Sequence, residues 1–554
     1  MSLVLAALSG SLLLAPDLIL HGGTIVRVDP PGATAEAIAI AADRIVFVGS
    51  DKDALALRDS ETRVVDLQGR AVIPGLIDAH GHVSSLGFTL AEVDLVGTRS
   101  AAEVASRVRA AAAKAKPGAW IQGHGWDQND WERKAFPSHG LLDEAAPDNP
   151  VFLDRIDGHA IWVNSRAMEI AGVTRGTPDP AGGRLLRGPD GAPTGIFVDN
   201  AKSLIKSKIP APSRDEIRAA ILRALNHCLD FGLTGVHDAG ITLEEAQIYR
   251  ELAEEHALPI RVYAMLGGTS RVLKNYFPGP PASELGGGFL SLRSIKLGID
   301  GALGSRGAAL MEDYSDDPGN KGLITLDPGR IRELALEAAR KGYQVCVHAI
   351  GDRGNKLALD ALEWALSQVP HGDYRFRIEH AQVLRPEDIP RFAKLGIIPS
   401  MQPTHCTSDM PWAEDRLGPE RVKGAYAWRS LLDTGVRIPE GSDFPVESAN
   451  PFLGLYAAIT RQDAEGHPRG GWYPAQRMTP QEALRGFTLD AAWAGFEEKE
   501  LGSIAAGKKA DLDILPANPL ETNPRDLLSM KPDAVLVDGR TVRAVPALQK
   551  VLAP

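Results

Sequence analysis

The sequence predicts an α/β fold: a TIM-type (β/α)8 barrel with a small β domain assembled from both ends of the chain. Three observations predict it. Strand-like and helix-like segments alternate from Thr234 to Pro445, which implies a parallel sheet with crossover helices. Short alternating strands stand at both ends of the chain, and neither end makes a complete domain alone. Polar residues recur at the C-terminal ends of the proposed barrel strands, where barrels keep their chemistry.

Taken in order, Leu18 to Gly49 reads as short strands broken by turn residues at His21-Gly22-Gly23 and Asp43-Arg44. The stretch AVIPGLIDAHGH (Ala71–His82) follows, with Pro74-Gly75 where the chain passes from the small domain into strand one. Two strand-like runs, Trp120–Asp127 and Val151–Asn164, and a Pro/Gly-rich section from Gly172 to Pro212 are expected to form an insertion. A helix is predicted over Asp215–Phe231. Strands two to eight are TGVHDAG from Thr234, IRVYAML from Ile260, SIKLGIDG from Ser294, YQVCVHAIGD from Tyr343, YRFRIEHA from Tyr374, IIPSMQP from Ile397 and VRIPEGSDFP from Val436. Helices are predicted over Leu243–His256, Ile331–Lys341, Asn355–Gln368, Pro386–Leu395 and Val422–Asp433. The expected division is an N-terminal arm at 1–15, the first part of the β domain at 16–70, the barrel at 71–499 with its insertion at about 83–215, and the second part at 500–554.

The chain is 44% hydrophobic and 24% charged, the balance of a soluble globular protein. Its net charge of −11 comes from dispersed acids, and no block of Lys and Arg disturbs it, which argues against a nucleic-acid or anionic-membrane partner. Cys228, Cys346 and Cys406 show neither zinc-ribbon spacing nor a disulfide framework. The apolar first fifteen residues are too short to span a bilayer and resemble part of an export signal; export is weighed against a cytoplasmic protein with an N-terminal arm or a misassigned start. Against export, no Lys or Arg precedes them and Pro16 follows the cleavage point. No stable membrane span is expected elsewhere. A small-molecule substrate is the expected partner, and a homo-oligomer is compatible with the sequence.

In an extended strand, residues two apart face the same side, so His80 and His82 can aim two imidazoles at one point. The pair reads equally as two core histidines or as two ligands for a divalent transition metal. Lys296, His348, His380 and Asp443 then fall at corresponding ends of strands four, five, six and eight. A lone strand histidine is usually a hydrogen-bonded core residue; this set is much harder to explain so. A lysine inside Ser-Ile-Lys-Leu needs a paired carboxylate such as Asp300, a depressed pKa, or covalent conversion.

The motifs GLIDAHGH, IKLGIDG, VHAIGD, IEHAQ and GSDFPV, in this order, resemble the amidohydrolase superfamily, and more closely its amidohydrolase-3 (YtcJ-like) branch, which includes N-substituted formamide deformylases. DGALGSRGAAL, NPFLGLYAAITRQD and LGSIAAGKKADLDIL look like the same branch, and the resemblance covers roughly Asp17 to Ala547. It implies a (β/α)8 barrel with a β-sandwich built from both termini. It also implies that His80 and His82 bind one metal, that carboxylated Lys296 bridges to a second, that His348 and His380 hold the second, and that Asp443 contacts the first metal and the attacking water.

Imidazole and carboxylate ligands suit one or two divalent ions, zinc first, with manganese, iron or cobalt as alternatives. The expected reaction is hydrolysis of a carbon–nitrogen bond in an amide or cyclic amide, with Asp443 as proton carrier. Deamination and ester or lactone hydrolysis use the same site, and a non-catalytic barrel protein is a further alternative. Trp126, His159 and Arg306 are the candidate substrate contacts, each weighed against simple packing or structural hydrogen bonding. Gln402 and His405, after strand seven, are weaker candidates.

Overall fold

The computed structural model describes residues 15–155, 160–180, 183–268 and 280–552. Residues 1–14, which hold the candidate export signal, and His159 lie outside the described residues. The chain divides into two compact units: one contains the residues up to Val83 and those from Ile221 onward, the other Ser84–Ala220.

The larger unit is built on seven parallel strands: β1 (Leu76–Gly81), β2 (Leu233–Ile241), β3 (Arg261–Gly267), β4 (Leu290–Gly298), β5 (Gln344–Ala349), β6 (Arg377–His380) and β7 (Ile398–Ser400). Each is hydrogen-bonded to its neighbours in that order. The predicted eighth strand is present as backbone pairing without regular strand geometry. Met401 N–H donates to Pro439 O at 3.1 Å, and Gly441 N–H returns a bond to Met401 O. On the other side, Ala79 N–H reaches Glu440 O at 2.9 Å and Asp443 N–H reaches His80 O at 2.7 Å. These bonds tie β7 to β1 and nearly close the barrel. The irregularity has local causes: Pro439 and Pro445 lack N–H donors, and Asp443 sits at φ +60.

The crossover helices start where local chemistry favours them. Thr242 and Glu245 form a capping box at the head of Leu243–Glu254. Asp327 caps Pro328–Arg340, which carries Pro at its first turn. Gly396, left-handed, ends Ile389–Leu395. The helix predicted over Val422–Asp433 is instead a 3-10 turn, Val422–Gly424, followed by a short helix, Trp428–Leu432.

The two ends of the chain supply two further sheets. One has four strands, all from the N-terminal part: Leu18–His21, Ala37–Ala41, Arg44–Gly49 and Arg63–Asp66. The other has six, and joins Ala71–Pro74 antiparallel to Leu512–Leu515. Leu18, Leu20, Ile38, Val72, Leu512, Ile514 and Leu536 share one buried core, so both ends of the chain are needed to close it. Each such side chain contributes about 1.5–3 kcal/mol on burial. Ala71–Pro74 runs straight into β1 through Gly75, where a Cβ would meet the Thr234 hydroxyl at 2.3 Å. Only glycine fits that passage between sheet and barrel.

The smaller unit has a six-stranded mixed sheet. The Pro/Gly-rich section that lacks periodicity holds an antiparallel pair there, Gly183–Arg187 with Pro193–Asp199. Among the described residues, no helix is long and apolar enough to cross a membrane. The three cysteines are buried free thiols.

Candidate metal centre

The larger unit gathers the candidate ligands at the C-terminal ends of its strands. His80 lies near the end of β1 and is fully buried; His82 follows and is partly open. Asp443 Oδ1 stands 3.0 Å from His82 Nε2 and 3.5 Å from His80 Nε2. Lys296 Nζ is 3.1 Å from His80 Nε2. The His380 ring sits 4.9 Å from that of His80 and 4.6 Å from that of His348. All six candidate ligands therefore form one contiguous cluster.

Two carboxylate-containing groups have metal-ligand spacing: His80 with His82 and Asp443, and His380 with His405 and Asp443. His405 thus joins the cluster. Its Nε2 is 3.2 Å from Asp443 Oδ2 and its Nδ1 is 3.1 Å from Glu447 Oε1. Asp443 consequently turns Oδ2 to His405 and Oδ1 to the His80–His82 pair.

Partners behind the ligands set their tautomers. His80 Nδ1–H donates to Glu379 Oε2 at 2.6 Å, which leaves its Nε2 lone pair facing the centre. Arg377 Nε holds the other Glu379 oxygen at 2.7 Å. His380 Nδ1–H donates to the Gln402 side-chain oxygen at 2.7 Å, which frees its Nε2 in the same way. Glu379, Arg377 and Glu447 carry no flag in the sequence except adjacency, Glu379 immediately preceding His380.

The electrostatics keep three of the imidazoles, those of His80, His348 and His380, neutral. Burial, reinforced by the Lys296 charge, lowers His80 to about 4 and His348 to about 3. Burial also holds His380 well below the usual range. Lys296 is lowered chiefly by burial, against the pull of Glu379 and Asp443. Burial would raise the Asp443 carboxyl, but hydrogen bonds from His405 and His82 hold it well below the carboxylate range. His405 goes the other way, against its own burial: its two carboxylates bring it up to about 10.

The donor set fits a divalent transition ion. His348 Nε2 is buried without a hydrogen-bond partner among the described residues, a costly arrangement that a cation relieves. Asp300 does not neutralise Lys296. Its carboxylate accepts the backbone N–H groups of Ala309, Ile350 and Gly351 and lies 3.6 Å from His348 Nε2. Among the described residues, Lys296 has no carboxylate within ion-pair distance.

Of the substrate candidates, Trp126 belongs to the smaller unit and Arg306 to the larger, and each has partners within its own unit. Trp126 is fully buried in the core of the smaller unit, its indole N–H on Leu153 O and its ring against Trp131 and Trp162. Arg306, in the larger unit, is engaged through two nitrogens with Asp316, which also binds Arg416.

A model of the amidohydrolase family matches residues 63–543. The chain is 36% identical to the protein LONG AFTER FAR-RED 3 of Arabidopsis thaliana, over 92% of this chain and 89% of that one. It is 32% identical to YtcJ of Bacillus subtilis, over 95% and 99%. It is 29% identical to an N-substituted formamide deformylase of Arthrobacter pascens, over 94% and 97%. Among solved structures, an uncharacterised metal-dependent hydrolase from Pyrococcus furiosus superposes with a TM-score of 0.76 at 29% identity, covering 91% of this chain and all of that one.

Proposed function

The chain belongs to the amidohydrolase family, and from that premise we propose that it hydrolyses a carbon–nitrogen bond, in an amide or cyclic amide, with a metal-activated water. The observation that carries this reading is the convergence of four histidines, Asp443 and a lysine without a carboxylate partner at one end of the barrel. His80, His82 and Asp443 would hold one divalent ion, zinc by ligand type. His348 and His380 would hold a second, with Lys296 as a bridging carbamate. Carboxylation converts a lysine with no carboxylate within ion-pair distance among the described residues into an anionic oxygen ligand. His405 is a further candidate ligand.

Bound divalent metal supplies Lewis acidity, which polarises a carbonyl and lowers the pKa of water toward about 7. Asp443 is the proton carrier: it takes the proton at a carboxylate oxygen and passes it to the leaving nitrogen. His405, fixed by Glu447, orients the Asp443 carboxylate toward the histidine pair. Glu379 and Gln402 keep His80 and His380 in the tautomer with Nε2 free. Trp126, His159 and Arg306 stay the candidate substrate contacts, with Trp126 and Arg306 each also held by partners of its own.

The deformylase relative makes N-substituted formamides the first substrates to try. The test is a screen of N-formyl, N-acyl and cyclic amide compounds with metal-loaded protein, alongside metal analysis. Turnover that disappears on chelation and returns with zinc supports the reading. Less than half an equivalent of tightly bound transition metal after expression with zinc would overturn it.

A further inference from the structure

A cavity of about 380 Å³ lies in the larger unit at the N-terminal mouth of the barrel, at the strand ends opposite the metal centre. Its wall includes Arg261, the first residue of β3, Ser291 and Arg293 at the start of β4, and Phe496 and Glu497 after the helix Leu489–Ala494. The volume is in the range of small-molecule sites, which begins at about 300 Å³.

Most of the charge on this wall is already paired. Arg261 is held by Asp511 at 2.7 Å and by Asp538 at 2.5 Å. Arg44 meets Glu500 at 2.7 Å, and Lys509 meets Asp43 at 2.5 Å. Three groups make no ion pair among the described residues: Arg293, Glu497 and the exposed Glu284. The Arg293 guanidinium lies 3.7 Å from the Phe496 ring centroid and has no carboxylate partner among the described residues. Its Nε is buried without a hydrogen-bond partner. The Glu497 carboxylate takes one hydrogen bond, from the Ser291 hydroxyl at 3.1 Å, and no cation lies within ion-pair distance of it among the described residues. Burial pushes this acid up to about 7, against the Ser291 hydrogen bond and the pull of Arg261 and Arg293.

We propose that this cavity binds a small zwitterion of the α-amino acid type, its carboxylate on Arg293 and its ammonium on Glu497. Arg293 and Glu497 line one cavity without closing into an ion pair, and a ligand carrying both charges satisfies both. A guanidinium already seated on an aromatic face is pre-organised for a carboxylate. The site is separate from the metal centre and does not depend on the reaction there.

The test is calorimetric titration of the full-length, metal-loaded protein with L-alanine and L-glutamine, and with acetate and methylammonium as single-charge probes. The amino acids are expected to bind saturably, one per chain, at least about tenfold more tightly than either single-charge probe. Arg293→Met and Glu497→Gln are each expected to lower that affinity about tenfold, with Arg293→Lys intermediate. Thermal unfolding checks that each variant is folded, and the isosteric Glu497→Gln serves if Arg293→Met is not. Absence of saturable binding, acetate binding as tightly as L-alanine, or binding undiminished in the folded variants, as chelation of the metal would produce, overturns the proposal.

Discussion

His80 and Glu379, 299 positions apart in sequence, are joined by a 2.6 Å hydrogen bond inside the barrel, and Arg377 holds the far side of the same carboxylate. A carboxylate behind a histidine ligand fixes its ring and raises its basicity. Glu379→Gln is therefore expected to weaken metal binding about 10–100-fold, read as faster loss of metal to a chelator. An unchanged rate of loss would remove Glu379 from any role in the centre.

Asp443→Asn keeps the shape of the side chain and removes its capacity to carry a proton. We expect kcat to fall by about 10²–10⁴-fold while most of the metal stays, because His80 and His82 remain. Metal analysis and steady-state kinetics on one preparation separate the two effects. Persistent turnover would reassign the proton carrier.

Lys296→Ala is expected to bind one ion fewer, and short carboxylic acids should restore part of the loss by replacing the carbamate oxygens. Protein equilibrated with ¹³C-labelled carbon dioxide should show a carbamate carbon resonance that the variant lacks. Full metal occupancy in Lys296→Ala refutes the carbamate.

Asp490 gives a pH dependence away from the metal. Burial, opposed by Arg485 and Arg437, raises its carboxyl from 3.8 to about 6. Between these values the folded protein holds a proton that the unfolded chain has released. The contribution is thus complete below about pH 4 and is lost as the pH rises through about 6. The loss is of order 3 kcal/mol. Urea denaturation across this range should show a decline in wild type that is smaller in Asp490→Asn; parallel profiles would rule it out.

Trp126 separates packing from substrate contact. Trp126→Ala is expected to destabilise the protein by about 3–5 kcal/mol, whereas Trp126→Phe should lose less stability and leave KM within about twofold. A large KM change in a stable Trp126→Phe protein would establish it as a substrate residue.

The clustering of the candidate ligands was legible because strand ends in a parallel barrel are equivalent places, so polar residues at five of those ends stand out. Glu379 was not legible for a specific reason. Alternation puts adjacent strand residues on opposite faces, yet Glu379 and His380 both serve the centre. His380 and Ala381 adopt φ +74 and +43, which breaks the pleat at the end of β6. The eighth barrel segment was legible as an apolar-to-polar run, but its two prolines and left-handed Asp443 made it pairing without a strand. Gln402 and His405 follow a three-residue strand, too short for a period to show which way they face.

The pairing of Ala71–Pro74 with Leu512–Leu515 bears on when the centre comes into being. Ala71–Pro74 leads directly into the strand that carries His80, and its partner is made more than four hundred residues later. Contacts of such sequence separation form late, because the loop between them must be closed first. During synthesis the first two histidines are therefore exposed and unsupported for most of the time the chain is growing. Metal arriving then would meet two loose imidazoles, and the assembled candidate set would be offered only once Leu512–Leu515 has paired with Ala71–Pro74.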